Sequence, residues 1–108
     1  MAVRTKELGA SAFTGSAPVT LYTCPAGATA IVKDIALFAT TAITAYVQVV
    51  RGSLSARVLS GAVTAGGSLV SSGRFIVLEP GDVLQVHSTS SGITATAWVS
   101  GSQLDGVA

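Results

Sequence analysis

Cys24 and His87 could serve a nucleophilic mechanism, the thiol attacking and the imidazole acting as base, and each is the only residue of its kind in the chain. Such a pair needs a third group to orient the base and donors to hold an oxyanion. No motif supplies either. Cys24 stands between Thr23 and Pro25 at a strand end, where a free cysteine serves as a small buried hydrophobe. One His and one Cys also fall short of a zinc site built from His and Cys ligands. Glu79 and Asp82 could assist a hard cation, but calcium needs more oxygen ligands at matching loop spacing. The run Glu79-Pro80-Gly81-Asp82 reads more simply as a turn with solvated carboxylates. The five acidic residues include no two that the sequence places across a groove, as glycoside hydrolysis would require. Gly66-Gly67 lacks the lysine and the strand-to-helix setting of a phosphate loop. No catalytic residue, metal ligand or cofactor is expected.

Trp98 offers chemistry of another kind. Ile93, Ala95, Ala97 and Val99 point one way along its strand, and Thr94, Thr96, Trp98 and Ser100 the other. If the aliphatic set lines the core, the indole stands outside, where it can anchor a protein interface or stack on a sugar. Burial of Trp98 under the N-terminal segment or a second layer is the slightly favoured alternative. Tyr46 is expected in similar surroundings. A sugar platform usually gathers several aromatics, and this chain is only 6% aromatic, so a glycan ranks below a protein as partner.

The elements that position these residues are strands. Ile43, Ala45, Val47 and Val49 alternate with Thr44, Tyr46 and Gln48, the period of a half-buried strand. Leu84, Val86 and Ser88 alternate in the same way with Val83, Gln85 and His87. Val19, Leu21 and Thr23 oppose Thr20, Tyr22 and Cys24. Residues 29–39 make a strand whose apolar phase slips between Val32 and Ile35, so either both faces are covered or a bulge at Lys33-Asp34 resets the register. Shorter strands are expected at 56–59 and 75–78. Pro25 and Gly27, and Pro80 and Gly81, mark tight turns, because proline fixes φ and glycine accepts positive φ. Gly66-Gly67 and Ser90-Ser91-Gly92 mark two more. No segment has the periodicity and caps of an amphipathic helix. Seven or eight short strands in an antiparallel β-sandwich follow, a jelly roll being one form of it.

Residues 1–16 are rich in Ala, Ser, Thr and Gly without sustained periodicity, and read as an extended N-terminal arm. The sandwich then covers 17–100, and the Gly- and polar-rich residues 101–108 form a tail. Leu8 and Phe13 are the arm's main anchoring residues. With Tyr46 and Trp98 they make the candidate interface set, since an arm can add main-chain hydrogen bonds to a neighbour's sheet edge.

Composition points to partners. Charged residues are 10% of the chain and hydrophobic ones 49%, against roughly 25% charged in an ordinary soluble domain. A surface so poor in charge is expected to be covered in part by neighbouring subunits. A small monomer surfaced with Ala, Thr and Ser is the competing reading. The net charge is +1, and Lys33, Arg51, Arg57 and Arg74 are scattered. Nucleic acid is therefore not an expected partner. No apolar run reaches the ~20 residues that span a bilayer as a helix, and the charged N-terminus lacks a signal peptide's apolar stretch. Synthesis in a host cytoplasm followed by assembly is expected, rather than export.

Two stretches carry a resemblance. Leu21-Tyr22-Thr23-Cys24-Pro25-Ala26-Gly27, continuing into Ala30-Ile31-Val32-Lys33-Asp34-Ile35, resembles the opening of small virion proteins of tailed bacteriophages, with a Y-T-x-P-A-G turn leading into an A-x-V-K-x-I strand. Leu78-Glu79-Pro80-Gly81-Asp82-Val83-Leu84-Gln85-Val86 is similar to their L-x-P-G-D-x-L-x-V hairpin. The resemblance runs from about Val19 to Val99, and departs from the family in having Cys24 where Val is frequent. It implies an all-β accessory subunit of the virion, decorating the capsid or belonging to a head fibre or tail, with no catalytic residues. Other virion proteins and copies of itself are the implied partners. A three-fold ring suits such an accessory, although nothing in the residues fixes the number three. A carbohydrate-binding adhesin module and a small hydrolase are the competing readings.

Overall fold

The computed structural model describes residues 2–89 and 94–105. The expected turn at Ser90-Ser91-Gly92 and the apolar position Ile93 lie outside the described residues, as do residues 106–108. Among the described residues eight strands follow one another: β1 (Ala2–Phe13), β2 (Val19–Thr23), β3 (Ala28–Ala39), β4 (Ile43–Arg51), β5 (Leu54–Val63), β6 (Ser68–Leu78), β7 (Val83–Ser88) and β8 (Ala95–Asp105). They form two four-stranded sheets, ordered β1-β8-β3-β6 and β2-β7-β4-β5. Every pairing is antiparallel. Apart from the β4-β5 hairpin, each connection carries the chain from one sheet to the other. This is the strand order of a jelly roll, in which two sheets pack face to face.

The inward set is small and aliphatic. Ala30, Ala39, Ala45 and Ala97 are fully buried beside Leu37, Leu78, Val47 and Leu84. Period-2 alternation holds where the sequence shows it: Ala45 and Val47 in β4, Leu84 and Val86 in β7, and Ala95, Ala97 and Val99 in β8 all point inward. The slip between Val32 and Ile35 is a β-bulge, since β3 shifts register against both β6 and β8 between Val32 and Asp34. A second bulge, between Thr20 and Tyr22, breaks the simple alternation expected of β2. Leu21 and Tyr22 are consequently both buried.

The arm and the tail are corrected. Residues 2–13 pair along their whole length with β8 of the same chain, from Ala2 opposite Asp105 to Phe13 opposite Ala95. Phe13 is 1% exposed and heads the fully buried side chains by volume, and Leu8 packs against the same core. These two residues therefore anchor the chain's own sandwich and not a neighbour's. The supposed tail continues β8 to Asp105. Its polar residues Ser102 and Gln103 are buried, and the Tyr22 hydroxyl donates to Gln103 Oε1 at 2.8 Å, tying β2 to β8 across the sandwich. β5 and β6 are also longer than the expected 56–59 and 75–78.

Candidate functional site

The two stretches that carry the phage resemblance meet in space. Pro25-Ala26-Gly27 closes with the Ala28 N–H donating to the Pro25 carbonyl at 3.2 Å, and Glu79-Pro80-Gly81-Asp82 with the Asp82 N–H donating to the Glu79 carbonyl at 3.0 Å. Gly27 and Gly81 have φ of 77° and 88°, the left-handed region that a type II turn requires of its third residue. The turns then clasp each other. The Cys24 N–H donates to the Asp82 carbonyl and the Gly81 N–H to the Cys24 carbonyl, each at 2.9 Å.

Asp82 locks this clasp. Instead of a solvated turn carboxylate, it is 2% exposed. Its two oxygens accept from Arg51 Nε at 2.8 Å and Nη2 at 2.6 Å, and Oδ2 also accepts from the Glu79 N–H at 2.8 Å. With its oxygens so engaged, Asp82 is not placed to ligate a cation. Among the described residues no three of His, Cys, Asp and Glu gather to hold a metal. The Arg51 hydrogen bonds, helped by the Glu79 N–H, hold the Asp82 carboxyl below its ordinary range against the opposing effect of burial.

A carboxyl whose folded pKa is depressed adds stability above its unfolded pKa and loses it as pH falls through the folded value. The clasp should therefore weaken below about pH 4, the ordinary carboxylate range. Thermal melts from pH 7 to pH 2 are expected to show an acid-sensitive fall in Tm that Asp82→Asn flattens. Asp82→Ala, which leaves the Glu79 N–H unpaired, is expected to cost about 2 kcal/mol at pH 7. Parallel pH curves for the parent and Asp82→Asn would contradict this role.

Cys24 and His87 are not brought together as nucleophile and base. Cys24 belongs to the core at 1% exposure, with its Sγ 3.4 Å from the Ala28 carbonyl oxygen and 3.5 Å from that of Leu78. Burial pushes its thiol pKa up, away from the reactive thiolate. His87 stands on the outer face of the β2-β7-β4-β5 sheet, its ring centroid 5.2 Å from that of Tyr46. The Arg57 guanidinium lies over the Tyr46 ring, 4.0 Å from its centroid. Beside them Gln48 Nε2 donates to Gln85 Oε1 at 2.9 Å. Tyr46 is thus already engaged by a cation and a neighbouring ring.

Trp98 is on the other side of the molecule. It is 53% exposed on the outer face of the β1-β8-β3-β6 sheet, which corrects both its expected burial and its shared surroundings with Tyr46. Trp98 faces Ala10 across one ladder and Ala36 across the other, and Ala36 faces Val70. One apolar row therefore crosses all four strands of that sheet. Phe38, 45% exposed, lies two residues further along β3. A separate open cleft of about 480 Å³ lies between β5 and β6, with Val49, Leu54, Val58 and Ile76 among its walls. Its cation, Arg51, is already bound to Asp82.

The row is a cross-strand pattern. Trp98 was visible in the sequence, but Ala10, Ala36 and Val70 become its neighbours only once the ladders are known. Arg51 had no sequence signal, because its partner is 31 residues away.

No family model and no curated protein matches the chain. Among solved structures, it is similar to part of a chain in the structure of infectious bursal disease virus Gx strain, with TM-score 0.49 and 17% identity over 97% of this chain and 32% of that one. A chain in the Gt strain structure gives TM-score 0.36 and 14% identity over 94% of this chain and 32% of the other. The chain thus spans about a third of those viral chains. It is also similar to a chain from Bacillus endospore appendages, described as a novel family of disulfide-linked pili, with TM-score 0.44 and 9% identity over 98% of this chain and 89% of that one.

Proposed function

We propose that this chain is a non-enzymatic structural subunit of a tailed-phage virion, an accessory that decorates the capsid or forms part of a head fibre. The observation that carries the reading is the clasp. The Y-T-x-P-A-G and P-G-D stretches, which resemble the phage proteins, lock to each other through Cys24, Gly81 and Asp82. What the resemblance shares is thus a joint of the jelly roll, and the role that goes with it is structural. A surface poor in charge and crossed by an apolar row supports work by protein contact. A place in the tail is the nearest variant and has the same support.

The glycan reading is weaker on both faces. Around Trp98 the in-register neighbours are Ala10 and Ala36, which leave Thr96 and Ser100 along its own strand as the adjacent polar groups, and no second aromatic stands beside it in the row. Around Tyr46 polar groups are present, but Arg57 covers the ring. In a density gradient of particles from the natural host, the chain is expected to band with the particles. Recovery only in the soluble fraction, together with selective binding on a glycan array, would replace this reading with an adhesin. Cys24→Val with His87→Gln is expected to leave the fold and the banding intact, since near-isosteric core changes usually cost under about 1.5 kcal/mol. A folded double variant that lost banding, or lost an enzymatic turnover shown by the parent, would contradict the non-enzymatic role.

A further inference from the structure

We propose that the outer face of the β1-β8-β3-β6 sheet pairs with the same face of a second copy, around a two-fold axis near Trp98. The inference rests on the structural role proposed above and names the first contact through which assembly proceeds.

Relief is the first ground. Ala10, Trp98, Ala36 and Val70 are direct neighbours across three ladders, and directly paired residues stand about 5 Å apart. A tall indole thus rises between two alanine hollows. In a two-fold arrangement each patch meets itself, so each Trp98 can enter a hollow beside the other copy's indole. Trp98 at 53% and Val70 at 61% exposure leave this apolar surface open in the single chain. A flanking row, Ala12, Thr96, Phe38 and Ser68, extends it on one side.

Charge is the second ground. None of the eight residues in these two rows is ionisable, whereas the row on the other side of Trp98 sets Ser100 between Glu7 and Asp34. A two-fold axis running along the Trp98 row sets that acidic row opposite the uncharged Ala12-Thr96-Phe38-Ser68 row of the other copy, so like face on like face juxtaposes no like charges there.

Area is the third. Four strands about 4.8 Å apart and eleven residues long at about 3.3 Å each make a face of roughly 700 Å². Stable complexes bury about 600–1,000 Å² on each partner, so the occupant must cover the whole sheet face. A second copy of that sheet does so, and a single extended peptide does not. The expectation of a three-fold ring gives way here to pairing by two.

The test uses the full chain. Trp98 is the only tryptophan, so its emission reports this face directly. Sedimentation velocity across a concentration series is expected to give a monomer–dimer equilibrium, with Trp98 emission shifting to the blue as dimer forms. Ala36→Glu, which puts a carboxylate into the hollow, should weaken the dimer at least 100-fold with circular dichroism unchanged. If that variant fails to fold, Trp98→Ser provides the same test by sedimentation. Arg57→Ser, on the opposite sheet, should leave the dimer intact. A parent chain that stays monomeric, forms a trimer, or dimerises as well with glutamate at 36 would overturn the pairing. A monomer that still bands with particles would overturn the pairing alone. A dimer through Trp98 that never appears on particles would support the pairing while removing the virion role.

Discussion

A chain lacking residues 1–13 is expected not to fold. β1 supplies one edge of its sheet, and every residue of β8 from Ala95 to Asp105 has a β1 partner, the bulge leaving only Leu8 of β1 unmatched. Removing β1 takes away Phe13, which is 1% exposed, and leaves the long β8 edge open to pairing with other chains. Phe13→Ala alone should cost about 3–5 kcal/mol, a large share of the roughly 5–15 kcal/mol that holds a domain folded. Urea unfolding followed by circular dichroism should show a much lower midpoint for Phe13→Ala, and no cooperative transition for the truncated chain. A truncated chain that melts like the parent would mean that these residues are an arm after all.

Gly101→Ala is expected to be nearly as damaging, although it adds one methyl group. An ideal Cβ at Gly101 would lie 2.0 Å from the Ile31 carbonyl oxygen and 3.1 Å from the Val32 Cα. Those are backbone atoms beside the β3 bulge, and β8 is held between β1 and β3. It cannot retreat from one ladder without opening the other. Overpacking of a well-packed interior costs about 1–3 kcal/mol and sometimes more, and a clash with backbone belongs at the upper end. Gly61→Ala is the control. There the nearest atom is Leu69 Cδ2 at 2.9 Å, the end of a side chain that can rotate away. Urea midpoints should fall sharply for Gly101→Ala and little for Gly61→Ala. Equal shifts would contradict the contrast between backbone and side-chain neighbours.

The parts of the fold legible in the sequence are those written in period-2 hydrophobicity and turn chemistry. The phase slip between Val32 and Ile35 left two readings open, of which the structure selects the bulge, and Pro25-Gly27 and Pro80-Gly81 identified two turns at positive φ. β1 was not legible because its signal is broken twice. Its register shifts between Glu7 and Gly9, which destroys the alternation, and Gly9 sits where a Cβ would strike the Leu21 carbonyl at 2.0 Å. Arg4, Lys6 and Glu7 further disguise it, because a charge-rich stretch carries no apolar period to read. The end of β8 was missed because Ser102 and Gln103 are buried polar residues, and burial of that kind leaves no apolar mark. The candidate interface was half visible. Trp98 stood out by type, while its alanine hollows are ordinary residues made meaningful by pairing partners tens of positions away.

The most direct test of the account is electron cryo-microscopy of particles purified from the natural host, with the chain located by antibody labelling. The expected result is density matching the eight-stranded sandwich, repeated at symmetry-related positions on the capsid, a head fibre or the tail. Particles of full composition that lack both the label and that density, from cells where the chain is abundant, would contradict it.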